Sequence, residues 1–167
     1  MTDAIFLVGL PLFLGAAAFW DLRWRSIPNP LTGAMALVGI GVCLAGGGVT
    51  TVGAALWAGF ASLAIGVLLQ FGRLLGGGDA KLFAALGVWL GPGRTVDAAL
   101  ATAIAGGVLA LFYLRRVRTP DAVADLSPTL LARLQLDDGP DFGRVPYGVA
   151  IAAGGLWVWS SLLGVPG

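Results

Sequence analysis

The sequence predicts an all-α polytopic membrane protein, a bundle of about six transmembrane helices. Three observations carry that expectation. Of the 167 residues, 57% are hydrophobic and only 11% charged, with a mean hydropathy of +0.89, whereas soluble domains carry about 25% charged residues. Such a chain cannot cover a water-facing surface, so the lipid bilayer is its expected solvent. The apolar residues fall into six runs, at 4–20, 31–46, 52–71, 80–90, 96–114 and 145–163, each ended by Gly, Pro or charge. The 27 glycines lie largely inside these runs. Glycine is disfavoured in soluble helices, but small residues let membrane helices pack closely. The whole chain, 1–167, reads as a single integral membrane domain.

The first run ends at Trp20-Asp21-Leu22-Arg23. It lacks the basic start of a signal peptide, since only Asp3 precedes it among charged residues, and it reads as a retained span. Pro28 and Pro30 exclude helix just before them and force a break. Gly46-Gly47-Gly48 marks a turn after the second run. In the third, Ala54, Ala58, Ser62 and Gly66 recur every four residues and form a small-residue seam on one face. The fourth is short and ends at Gly91-Pro92-Gly93. The fifth carries its own small row, Ala98, Thr102, Gly106 and Ala110. The segment about 115–144 is the one long polar stretch. Within it Ser127-Pro128 reads as a helix start, opening either a surface-lying amphipathic helix or a loop.

With six crossings, Arg23, Arg25, Arg73, Lys81, Arg115, Arg116, Arg118, Arg133 and Arg144 fall on one side and only Arg94 on the other. The positive-inside rule puts the nine on the cytoplasmic face, together with the 115–144 loop. Trp57, Trp89, Trp157 and Trp159 then fall near outer helix ends, and Trp20 and Trp24 near an inner end, as two aromatic belts.

Composition also excludes chemistry. The chain has no His and no Glu, which removes Ser-His-Asp catalysis and His-based zinc sites, so no metal or cofactor is expected. Cys43 has no second cysteine to pair with and reads as packing. A net charge of +1 argues against nucleic acid as a partner. Nine aspartates remain. Asp97 lies on the outer side, and Asp3, Asp121, Asp125, Asp137, Asp138 and Asp141 read as solvated charges at an end or in the loop.

Asp21 and Asp79 differ from these. Asp21 closes a span running inward, and Asp79, in Gly76-Gly77-Gly78-Asp79-Ala80-Lys81, opens one running back out. Ionisable residues at the edge of a span are functional candidates. Twelve residues from Asp79 to Gly91 make about 18 Å of helix, against a hydrocarbon core of about 30 Å, so Asp79 is expected below the interface. Two neighbouring carboxyls cannot easily both ionise, which leaves one acid and one base. Plain structural readings stand beside this. Asp21 can pair with Arg23 or Arg25, Asp79 can cap its helix, and Lys81 can snorkel or pair with Asp79. A small transporter using both acids as proton or cation sites, or a non-catalytic subunit of a secretion machine, also fits the composition.

At these residues the sequence resembles the type IV prepilin peptidases, membrane aspartic peptidases of the GxGD type. The likeness lies in Asp21 with Ile27-Pro28-Asn29 after it, in Gly76-Gly77-Gly78-Asp79-Ala80-Lys81, and in Pro146-Tyr147-Gly148. It implies a GxGD aspartic peptidase-like fold and an inner-membrane enzyme that cuts the basic leader from prepilins at the cytoplasmic face. Asp21 and Asp79 would be the catalytic pair, while Gly76, Gly78, Lys81, Pro28, Asn29, Pro146, Tyr147 and Gly148 would shape the site and position substrate. The implied partners are the prepilin's apolar helix and basic leader, the latter drawn by Asp137, Asp138 and Asp141, and pilus assembly proteins. The larger members of that family carry a paired-cysteine domain and also methylate. This chain has neither those cysteines nor a nucleotide-binding glycine pattern, and so resembles the compact, peptidase-only form that serves Flp-type pili.

Overall fold

The computed structural model describes residues 2–72, 75–117 and 146–163, with side chains described for 4–72, 75–112 and 146–163. Four helical elements follow one another: α1 (Thr2–Trp24), α2 (Asn29–Phe71), α3 (Gly77–Val117) and α4 (Tyr147–Leu162). All described regular structure is helical. Arg73, the 115–144 loop from residue 118 onward, its Ser127-Pro128 start and its Asp137, Asp138 and Asp141 lie outside the described residues.

The count of four, against about six apolar runs, has a physical origin in α2 and α3. At 43 residues, a straight α2 would run about 65 Å, twice the hydrocarbon core. It is not straight. Gly48 holds φ 71°, ψ −163° inside α2, and Gly91 holds φ 71°, ψ 176° inside α3. Both lie in a region that is essentially closed to residues with a Cβ.

The contacts show that the chain doubles back at both. Asn29 bonds to Lys81, while a Cβ on Gly66 would meet Ala80. In a straight helix Asn29 and Gly66 would be about 56 Å apart. Likewise Leu86 packs at Gly155, and Ala98 and Thr102 pack at Gly154, from opposite sides of Gly91. The turns read at Gly46–Gly48 and Gly91–Gly93 are therefore reversals, each seated on a single glycine.

Close approach follows from small residues. A Cβ at Gly59 would lie 2.6 Å from Val88 Cγ2, and one at Gly66 would lie 2.7 Å from Ala80 Cβ. Ala58, Ser62 and Gly66 are buried as the seam requires, but Ala54 is exposed and faces away from it. Ala55 and Gly59 take its place, because the contact face advances around the helix. Ala98, Thr102 and Gly106 are buried against α4.

Leu10, Leu14, Met35, Leu82, Leu86, Ile151 and Val158 form a fully buried core, while Phe60, Leu37, Ile104 and Val108 are exposed. An apolar exterior around a core lined by small residues is the pattern of a protein dissolved in lipid. Ala4–Trp24, Asn29–Phe71 and Gly77–Phe112 are long and apolar enough to cross a membrane, and Tyr147–Leu162 is a shorter apolar helix. This is a membrane protein.

Trp89 departs from the belt reading. It is 5% exposed, donates Nε1–H to the Met35 carbonyl at 2.7 Å, and packs against Phe6 and Phe13. Gly39 makes room for it, since a Cβ there would sit 2.7 Å from the indole. A buried indole needs a partner for its N–H, and the Met35 carbonyl supplies it here. Trp159 is also partly buried, whereas Trp57 and Trp157 are exposed.

Candidate active site

All ten candidate residues lie at one end of the bundle. α1 reaches that end with Asp21 in its last turns, and Arg25 then takes φ 52° to turn the chain out of the helix. Its N–H still bonds back to the Asp21 carbonyl at 2.9 Å. A non-glycine residue in this left-handed region is strained and marks a site of interest. Pro28 then caps α2 without a side-chain hydrogen bond, and Asn29 begins it.

α3 starts at the same end. Gly77 opens the helix and Asp79 lies in its first turn, where the helix dipole favours a negative charge. The glycines before it are needed for space. A Cβ at Gly76 would lie 2.8 Å from Asp79 Oδ2, one at Gly77 would crowd Gln70 at 3.1 Å, and one at Gly78 would touch Ile27 at 3.4 Å. Thus the backbone beside Asp79 rests against the backbone that leaves Asp21's helix. Lys81 donates to Asn29 Oδ1 at 2.8 Å. Residues two apart on a helix point in different directions, and Lys81 reaches across to α2.

The third contributor is α4. Pro146 is fully buried as its cap, Tyr147 packs on Gly106, and Gly148 meets Asp21. A Cβ at Gly148 would lie 2.8 Å from Asp21 Oδ2 and 2.9 Å from its Cγ. The backbone N–H groups of Gly148 and Val149 face this carboxylate, and Arg25 is its charged neighbour. Asp21 is 6% exposed, yet its Oδ2 has no hydrogen-bond partner among the described residues. Asp79 is half-buried. A buried carboxylate oxygen left open is costly in a folded chain and signals a functional demand on it.

The two acids are thus brought to one end by two close approaches of glycine backbone, Gly78 on Ile27 and Gly148 on Asp21, and by the side-chain hydrogen bond from Lys81 to Asn29. Sequence reading missed Ile27's buried contact role, Arg25's strained backbone and Gln70. The last had a signal, as the only amide in the run 52–71. No group of three or more His, Cys or Asp capable of holding a metal occurs among the described residues. Cys43 lies within the bundle with its thiol toward the Val88 carbonyl at 3.6 Å. Asp97 is exposed at the opposite end, beside a groove of about 490 Å³ between α3 and α4, remote from Asp21.

Fold and site together define a polytopic helical membrane protein with a buried aspartate and a glycine-flanked aspartate gathered at one end. The model of the type IV leader peptidase family matches residues 8–111, more than half of the chain and a span that includes both Asp21 and Asp79. The chain belongs to the type IV leader peptidase family, a family of proteases. The match ends before Pro146-Tyr147-Gly148. No curated protein and no solved structure matches the chain.

Proposed function

We propose that this protein is a membrane-embedded aspartic endopeptidase that removes the leader peptide of type IV prepilins of the Flp type. Cleavage takes place at the cytoplasmic face of the bacterial inner membrane, with Asp21 and Asp79 as the catalytic pair. The reading rests on family membership and on one observation above all: Asp21 is buried with an unpartnered carboxylate oxygen at the same end of the bundle as Asp79. The reversals at Gly48 and Gly91 divide α2 and α3 into two segments each, which supports six crossings; with six crossings the sequence order puts nine of ten cationic residues on the side of the acids.

The pair shares one proton, and its apparent pKa values belong to the pair rather than to either residue. The ionised carboxylate takes a proton from water as the water oxygen attacks the scissile carbonyl. The protonated carboxyl hydrogen-bonds to that carbonyl oxygen as charge develops on it. The leaving nitrogen then receives a proton as the C–N bond breaks. The prepilin's apolar helix stays in lipid against the bundle, so its basic leader is presented at the carboxylate end.

Co-expression with an Flp-type prepilin tests the reading by gel shift. Wild type should convert precursor to the shorter mature form. Asp21→Asn and Asp79→Asn should each leave precursor unprocessed while the enzyme still inserts at normal levels. Processing at the wild-type rate by either variant would refute the assignment.

A further inference from the structure

We infer that the N-terminus of α4 is the seat that holds Asp21 in its reactive orientation, with Gly148 as a positioning residue for that carboxylate. The inference rests on the reading of Asp21 as a catalytic acid and extends the site beyond the region of the family match, to a different helix.

Three observations converge on Gly148. The space its missing Cβ leaves is occupied by the carboxylate itself, with Asp21 Oδ2, Cγ and Cβ within 2.8–3.0 Å of where that atom would be. Real Cβ atoms essentially never come so close to non-bonded heavy atoms, so any other residue at 148 must displace Asp21 or move α4. The first-turn N–H groups of a helix lack intrahelical partners, and those of Gly148 and Val149 face this acid. They substitute for solvent around a side chain 94% buried, while Oδ2 keeps no hydrogen-bond partner among the described residues.

The neighbours fix the seat in place. Pro146 is fully buried and has no side-chain cap bond, so the carboxylate of another helix takes the position a capping side chain would occupy. Tyr147 lies on Gly106, where a Cβ would stand 2.9 Å from its ring, so the glycine lets the start of α4 pack closely on α3. A dyad acid must be held within a fraction of an ångström of the position from which it activates the attacking water, and a misplacement of about 1 Å can cost 10²-fold in rate. Gly76 approaches the Asp79 carboxylate in the same manner, with a Cβ there 2.8 Å from Oδ2, but from the adjoining turn rather than from a separate helix.

The test uses the full-length protein in detergent micelles and four forms: wild type, Gly148→Ala, Asp21→Ala and the double variant. Gly148→Ala should lower kcat for a prepilin peptide by about 10- to 100-fold with KM unchanged, because substrate binding does not depend on the acid's orientation. It should also lower the melting temperature of wild type and have little effect on Asp21→Ala, where the carboxylate no longer occupies the space. If Gly148→Ala fails to accumulate, the double variant should accumulate, and failure of both would overturn the seat. Equal destabilisation in both backgrounds, or an unchanged kcat, would also overturn it. The melting-temperature coupling does not require peptidase activity, so a wild type that cleaves no prepilin would sink the proposed function and still leave the seat decided.

Discussion

Lys81 illustrates how little a contact can contribute to stability while still setting geometry. Its Nζ reaches Asn29 Oδ1 at 2.8 Å in an exposed position. Solvent competes for both groups there, so the bond contributes less than about 1 kcal/mol. Its place matters more than its strength, since it ties the first turn of α3, which carries Asp79, to the first turn of α2. Asn29→Ala and Lys81→Met should each shift the unfolding midpoint by only a degree or two. Both should nevertheless lower kcat/KM for a prepilin several-fold, and Asn29→Asp, which keeps an acceptor facing the ammonium, should restore most of it. Activity that tracks stability across this series, with no extra loss, would show the tie to be incidental. Spacing alone could not assign this partner. Lys81 lies two residues from Asp79 in sequence, and only the reversal of α2 brings Asn29 within its reach.

At the scale of the elements, two glycines decide the fold. Gly48 and Gly91 sit at φ 71° with extended ψ, a conformation that costs other residues on the order of 1–3 kcal/mol. Nothing lies within 4 Å of a Cβ built on either, so the penalty for alanine there is conformational rather than steric. Gly48→Ala and Gly91→Ala should each destabilise by roughly 1–3 kcal/mol in reversible unfolding. Gly93→Ala, with open space and ordinary dihedrals, should be near neutral. Equal effects at all three positions would refute the argument. The sequence marked both turns by clustered glycines but could not say which glycine of 46, 47 and 48 carries the reversal. Seams were legible in the same partial way. A spacing of four found Ala58, Ser62 and Gly66, yet it misassigned Ala54 because the contact face drifts toward Ala55 and Gly59. Trp89 was misread for a related reason. Aromatic residues near helix ends usually meet the interface, and only the gap left by Gly39, 50 residues away in sequence, shows that this one turns inward.

For the whole molecule, charge distribution and site location make one claim. The acids were legible because they are the rare charges at the borders of apolar runs, and a lipid-dissolved chain retains such groups only for a purpose. That they share an end follows from the parity of the reversals, and the proposed orientation rests on the cations. Arg23, Arg25 and Lys81 lie at the end that holds Asp21 and Asp79, while Arg94 lies just past Gly91 at the other. Moving arginine-rich segments across the membrane is unfavourable, and the proposed reading therefore puts that first end in the cytoplasm. Ser26 and Arg94 are exposed at the two ends and report on this directly. In a Cys43→Ser background, Arg94→Cys should react with a membrane-impermeant maleimide in intact spheroplasts. Ser26→Cys should react only after the membrane is permeabilised. The opposite pattern would put the carboxylates on the outer face, away from any cytoplasmic leader peptide. Labelling of both in intact spheroplasts would mean that the segments between them do not carry the chain across, and six crossings would be untenable.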